Sequence, residues 1–386
     1  MAIDIAAVRR ALPSLESMVY LNSGGCGIAA EPVVQALLAA TARQERQSFA
    51  VWEAMQQELE AARARLAALI GAAPAEFAFT RNATDGVNLV MTGLPWHGWE
   101  EVIITSQEHP AMLFPWFYAQ QRGWLKVKLL TVEPDPQATL CHLEALLTPR
   151  TRLIGVSHVS CQTGIRLPVQ AICRLAAGRG ILSLVDGAQA VGQFPVNVKQ
   201  IGCDFYTGNG HKWLQGPKGT GFLYVRQERL AELLPMHVGA GCGESFSLEN
   251  GLRLKPTGQR FEYGTQALAP YLAWPAALDW LENLGWANVE ARQRALAAYL
   301  RQRLSAQPGI TLHTPLDWEN SSALTTFSVV DRHGTDLANE LRGQGIHTRP
   351  VAEFDALRIS TAYFNTEAEI DRLLVALGEG APAFPG

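Results

Sequence analysis

The chain has 386 residues, 48% hydrophobic and 18% charged, with a formal net charge of −4 at pH 7. That composition supplies a sizeable core, and the length allows a large domain with a smaller one attached. It offers no basic field for nucleic acid, and no apolar run reaches the roughly 18 residues that a membrane-spanning helix needs.

In chain order, the opening stretch "MAIDIAAVRRALPSLESMVYL" interrupts its apolar residues with Asp4, Arg9, Arg10 and Glu16. It lacks a signal-peptide pattern, and we expect a cytoplasmic protein. From about 33 to 71 alanine, leucine and glutamate dominate, with apolar residues three or four apart, which predicts helix up to a stop at Gly71. Then "EFAFTRNATDGVNLVMTGL" reads as strand, turn and helix. "EVIITSQEHPAM", "LKVKLLTV", "RLIGVSHVS", "GILSLVDGAQA", "CDFYTGNGHKW" and "TGFLYV" are short apolar runs, several of them separated by helical stretches. Short buried strands alternating with helices predict an α/β domain with a mostly parallel sheet.

Beyond about 270 the pattern changes. A long helical segment (270–306) precedes "ALTTFSVVD", a helix near 335–344, "GIHTRPV", "LRISTAYF" and a last helix, "TEAEIDRLLVALGEG". We expect a smaller α+β domain over 271–386, a large domain over 21–270, and an N-terminal segment (1–20) associated with the small one. Segment 238–258 reads as loop. The six cysteines are scattered with no CxxC pair, so neither a metal site nor a disulfide framework is indicated.

Polar residues gather just after the strands, where open α/β sheets bind ligands. "ILSLV" ends in Asp186, with Gln189 three residues on. The next strand ends in "GNGHKW", placing Lys212 among glycines. Lysine suits a buried turn poorly, because burial disfavours its charge. One reading is a solvated surface loop, and the other a lysine held in a Schiff base at a pyridoxal phosphate site. Such a site also needs a carboxylate at the pyridine nitrogen, a face over the ring and a phosphate cradle. Asp186, His109 in "QEHPAM", and Thr84 in "TRNATDG" at a helix start would supply them. Taken singly, Asp186, His109 and Thr84 could each be an ordinary helix cap.

The segment "DGAQAVGQFPVNVKQIGCDFYTGNGHKWLQGPKGTGFLYVR" resembles the signature of the class V aminotransferases, a family that includes cysteine desulfurases. The resemblance runs from "YLNSGGCGI" to "LRISTAYFNTEAEIDRLL". It implies a fold-type-I pyridoxal phosphate enzyme in which Lys212 holds the cofactor and moves the Cα proton. Asp186 would pair with the pyridine nitrogen, Gln189 would bond the ring 3-oxygen, and His109 would stack on the ring. The backbone of Ala83, Thr84 and His211 would hold the phosphate. Asn209 stands where relatives carry serine or threonine. Thr265, in "RFEYGTQ", resembles a threonine that reaches the neighbouring subunit's phosphate, which implies a homodimer. Arg358 resembles the arginine that clamps the substrate carboxylate.

Desulfurases attack substrate sulfur with a cysteine on the loop before that arginine. Here the loop is "GIHTRPVAEFDALR", without cysteine. Cys161, near a position where desulfurases carry asparagine, reads as a structural thiol. The subgroup most similar is the cysteine/cystine C–S lyases, on "NSGGCGI" (with Gly25 near the substrate), "GHKW" and the pair Arg349 and Arg358, a resemblance that implies both arginines grip the substrate carboxylate. This implies β-elimination of L-cystine or L-cysteine to pyruvate, ammonia and (per)sulfide, with no metal, and with cystine the better substrate. An amino-acid epimerase like isopenicillin N epimerase, an aminotransferase, and a non-catalytic sulfur carrier remain alternatives. Trp116 and Trp213 are candidates for the pocket wall or for the core.

Overall fold

The computed structural model describes residues 3–378. Its centre is a seven-stranded sheet in the order Phe77–Thr80, Gly221–Val225, Phe205–Asn209, Leu182–Asp186, Thr151–Ser157, Glu101–Thr105, Lys126–Leu130. Gly221–Val225 pairs antiparallel with both of its neighbours, and every other pairing is parallel. Helices cover both faces, which is why these strands read as unbroken apolar runs. Alternate residues feed two separate cores. Ile103, Val185, Tyr206 and Phe222 enter one, while Val102, Ile104, Leu184 and Leu223 enter the other. The parallel strands all end at one edge, so Thr105, Ser157, Asp186 and Asn209 arrive there together.

A second, four-stranded antiparallel sheet has the order Ile310–Leu312, Leu324–Val329, Ala356–Ser360, Arg349–Val351. Its core joins Phe327, Leu357 and Ile359 to Leu296 and Leu300 of one helix and Leu373 of another. Val19 and Leu21 enter the same core, and the strand Val19–Tyr20 pairs in parallel with Ile346–His347. Among the described residues no helix is long and apolar enough to cross a membrane.

Two sequence expectations change. The helical run from 270 to 306 is two helices, Ala269–Leu284 and Trp286–Ser305, joined at Gly285 with φ 82°, a conformation that glycine adopts without strain. The expected loop 238–258 contains a hairpin, Gly243–Ser247 against Gly251–Leu254. Both of its strands are largely exposed, so neither carries the apolar alternation that marks a half-buried strand.

Candidate active site

Every cofactor- and substrate-binding candidate except Thr265 lines one cavity of about 260 Å³ at the carboxyl edge of the large sheet. Lys212 sits in a turn just past Phe205–Asn209, only 9% exposed. That turn is closed by Gly210 N–H donating to Thr220 O and Gly216 N–H donating to Gly210 O. The N-terminal loop braces it, with Gly27 N–H donating to His211 O at 2.6 Å. A Cβ on Gly27 would lie 2.1 Å from Lys212 O, so the glycine is what admits this approach. Burial pushes the Lys212 pKa down, Asp186 opposes that shift, and Arg358 and Arg349 add to it. Among the described residues the ammonium has no hydrogen bond or ion pair.

Asp186 ends its strand 4% exposed, and its Oδ1 accepts from Ala188 N–H at 2.8 Å. It caps a turn, not a helix. Burial raises its pKa, partly offset by the Ala188 hydrogen bond and by Lys212. His109 is indeed a helix cap: its Nδ1 accepts from Ala111 N–H at 3.0 Å at the start of Pro110–Gln121. It lines the cavity as well. Burial, with help from Lys212, Arg349 and Arg358, takes its pKa down to about 4, so the ring is neutral at pH 7 with its proton on Nε2.

At the other strand ends, Asn82 caps the helix Ala83–Gly93, with Oδ1 accepting from Asp85 N–H at 2.9 Å. Thr84 is therefore not the cap but an exposed residue of the first turn, its hydroxyl beside the helix's open N–H groups. His211 Nδ1 and Asn209 Oδ1 are buried without a partner among the described residues. Burial takes the His211 pKa down to about 4, with the Lys212 and Lys218 charges adding to the shift and a hydrogen bond with the Thr220 backbone opposing it, so the ring is neutral at pH 7. Half a turn of the Asn209 amide would present Nδ2 instead. A helix N-terminus, a hydroxyl and an unpaired imidazole nitrogen around one space fit a phosphate. Gln189 is held from both ends: Nε2 donates to Gly24 O at 2.7 Å and Oε1 accepts from Trp213 Nε1–H at 2.8 Å. Its second Nε2 hydrogen remains available. The residues present fit pyridoxal phosphate.

The opposite end belongs to the small sheet. Arg358 is 2% exposed, and it donates from Nη1 to Cys161 O at 2.5 Å and from Nη2 to Asn22 Oδ1 at 3.4 Å. Its Nε has no partner among the described residues. Burial takes its pKa down to about 10, opposed by Cys161 and reinforced by Arg349. Arg349 is its direct cross-strand neighbour and is exposed. Thr265 is exposed too, and lies with Trp52, Arg63 and Glu262 around a separate hollow. Trp116 and Trp213 do not line the cavity. Both are buried in the cores, where their volume fills interior space, and Trp213 reaches the site through its hydrogen bond to Gln189.

Sequence reasoning missed Asn82, Asn22, Ser157 and Glu108. Ser157 lines the cavity, and Glu108, 1% exposed, stands behind it. Its Oε1 accepts from Ser157 N–H and Thr105 Oγ1–H, each at 2.7 Å, while Oε2 accepts from Ser157 Oγ–H. Burial raises its pKa to about 7 against the pull of those hydrogen bonds. The signal was an acid next to His109 at the end of a buried strand. Cys161 lines the cavity, but burial pushes its thiol up to about 11, so it is protonated and a poor nucleophile.

The class-V aminotransferase family model matches residues 19–373. An isopenicillin N epimerase of Amycolatopsis lactamdurans is 36% identical over 94% of this chain and 95% of its own. A cysteine desulfurase of Cronobacter sakazakii is 34% identical over 83% of this chain and 82% of its own. The solved complex of the cystine C–S lyase C-DES with its product cysteine persulfide superposes with a TM-score of 0.87 and 28% identity, covering 96% of this chain and 100% of that one.

Proposed function

The chain belongs to the class-V aminotransferase family of pyridoxal phosphate enzymes, and from that premise we propose that it is a carbon–sulfur lyase that converts L-cystine and water to pyruvate, ammonia and cysteine persulfide. When bound, the cofactor draws electrons away from the substrate's Cα. Lys212 would hold it, and its burial favours the neutral amine able to take up the Cα proton. Asp186 would keep the pyridine nitrogen protonated. Gln189 would donate to the ring oxygen, and His109 would cover the ring as a neutral imidazole. Ala83, Thr84, His211 and Asn209 would hold the phosphate. Arg358 would fix the α-carboxylate, and Gly25 would let the substrate lie close to the backbone.

The observation that carries this reading is the absence of a usable thiol on the loop before Arg358 and on the cavity wall. Segment 345–358 has no cysteine, and Cys161, the cysteine that lines the cavity, is buried and protonated. The persulfide route of the desulfurases therefore lacks its loop nucleophile, and proton transfer by Lys212 remains. The cystine C–S lyase superposition supports the same choice. The 36% identity to an isopenicillin N epimerase favours a second reading, inversion at Cα.

Thr265 stands away from this cavity, in keeping with a homodimer in which it serves the other copy's phosphate. Six free cysteines fit the reducing cytoplasm. The test is product analysis of the holoenzyme with L-cystine. We expect pyruvate and ammonia in equal amounts, abolished in Lys212→Ala. A D-amino acid without pyruvate would establish the epimerase reading instead, and alanine would restore the desulfurase route.

A further inference from the structure

Trp116, Trp213 and Trp274 are among the largest fully buried side chains. A buried indole usually finds an acceptor for its N–H. Among the described residues, Trp116 and Trp274 leave theirs unpartnered. Trp213 gives its own to Gln189 Oε1 at 2.8 Å, and Gln189 lines the cavity. Filling core volume accounts for the first two and leaves this bond unexplained.

A carboxamide has nearly the same shape at both ends, so its neighbours decide which end goes where. Those of Gln189 have no choice of role. The indole N–H can only donate, and the Gly24 carbonyl can only accept. Turning the amide over would set two donors 2.8 Å apart and two acceptors 2.7 Å apart. The backbone is held as well. Gln193 Nε2 donates to Gln189 O, and Gln193 Oε1 accepts from Ala323 N–H at 2.7 Å. A Cβ on Gly192, at φ 99°, would lie 2.7 Å from the Trp213 carbonyl carbon, so this segment rests on the turn that carries Lys212. The amide keeps one Nε2 hydrogen uncommitted, and Trp213 is directly next to Lys212 in the chain.

We propose that Trp213 is a positioning residue: by fixing the Gln189 amide it makes Gln189 a hydrogen-bond donor to the cofactor's ring 3-oxygen, and so lowers the pH at which cofactor-bound Lys212 Nζ gives up its proton. Negative charge on that oxygen attracts the Nζ proton, and a donor to the oxygen draws the charge away. Asp186, Cys161, Arg358, Arg349, His109 and His211 also act on Lys212, but none of them is altered in the variants below. The inference rests on the reading of this cavity as a pyridoxal phosphate site, and not on which bond breaks there.

The test is a pH titration of the holoenzyme's visible absorption band, which reports the proton on Nζ. Trp213→Phe keeps most of the bulk and loses the N–H, and its midpoint should rise by about one pH unit, the size of one hydrogen bond to a charged group. Trp213→Met, which adapts to the space and also lacks the N–H, should do the same if the phenylalanine variant does not fold. Trp213→His can place Nε2–H where the indole N–H lies, and should stay near the parent. Gln189→Leu should rise at least as far as Trp213→Phe, and adding Trp213→Phe to it should change nothing more, because the indole then has no amide to orient. A Trp213→Phe midpoint equal to the parent's overturns the inference. So do single shifts that add in the double variant, or a Trp213→His shift as large as that of Trp213→Phe. A parent protein that develops no visible band with pyridoxal phosphate overturns the cofactor reading and this inference with it. A band whose titration ignores Trp213 overturns this inference alone.

Discussion

The two ends of the cavity are built differently. At the lysine end, Asp186 and Asn209 end adjacent strands whose residues are all buried, and the glycine turn after Asn209 that carries His211 and Lys212 is tied by backbone hydrogen bonds. At the arginine end, Arg358 and Arg349 come from a smaller antiparallel sheet and face each other without a carboxylate between them. The first end is shaped to keep one group permanently. The second keeps donors unpaired at a cost that only a bound anion removes. A resident cofactor and an exchanging substrate call for those two designs.

The largest test of this contrast is Lys212→Ala. It removes the one amine placed for proton transfer, and kcat should fall by about 10³-fold or more, measured as pyruvate release. The cavity's arginine end should stay formed, so amino-acid binding monitored by calorimetry should persist. Loss of binding as well would show that the two ends are not separable. A smaller effect is expected from Gly27→Ala. The new Cβ would fall 2.1 Å from Lys212 O and push the lysine's backbone aside. A displacement of about 1 Å costs roughly 10²-fold in rate, and steady-state kinetics should place the loss in kcat with little change in KM. An unchanged kcat would mean that the turn holding Lys212 tolerates movement.

The same contrast governs how much the sequence disclosed. Strands buried on both faces appear as apolar runs, so the large sheet and the residues ending its strands were readable in order. Lys212 stood out because lysine among glycines is costly to bury. The exposed hairpin at 243–254 has no buried face and left no periodicity to read. Asn82 and Thr84 are both reasonable caps by type, and only the turn geometry assigned the cap to Asn82. Asn22 lies more than three hundred positions from Arg358, and nothing local joins them. The two tryptophans were ambiguous because a large apolar side chain suits a core and a pocket wall equally.

Glu108 sharpens the comparison at the smallest scale, because it is a buried acid at the lysine end that no cation pairs among the described residues. Its pKa of about 7, against the ordinary 4.5, means the folded protein keeps a proton that the unfolded chain gives up. Its contribution to stability is therefore full below about pH 4.5 and is lost as pH rises to about 7, after which it is level. Glutamine has nearly the shape of the protonated acid. Its Oε1 can still accept from Ser157 N–H and Thr105 Oγ1–H, and its amide can donate to Ser157 Oγ in place of the bond now received. Glu108→Gln should thus change kcat/KM only a few-fold while flattening that pH window. Thermal melting of the two holoenzymes checks it: the variant should gain on the parent by roughly 2–4 °C between pH 5 and pH 8. The neutral histidines of the cavity titrate identically in both proteins and cancel in the difference. A constant gap across pH would mean that Glu108 is ionised throughout, with Ser157 and Thr105 alone bearing its charge.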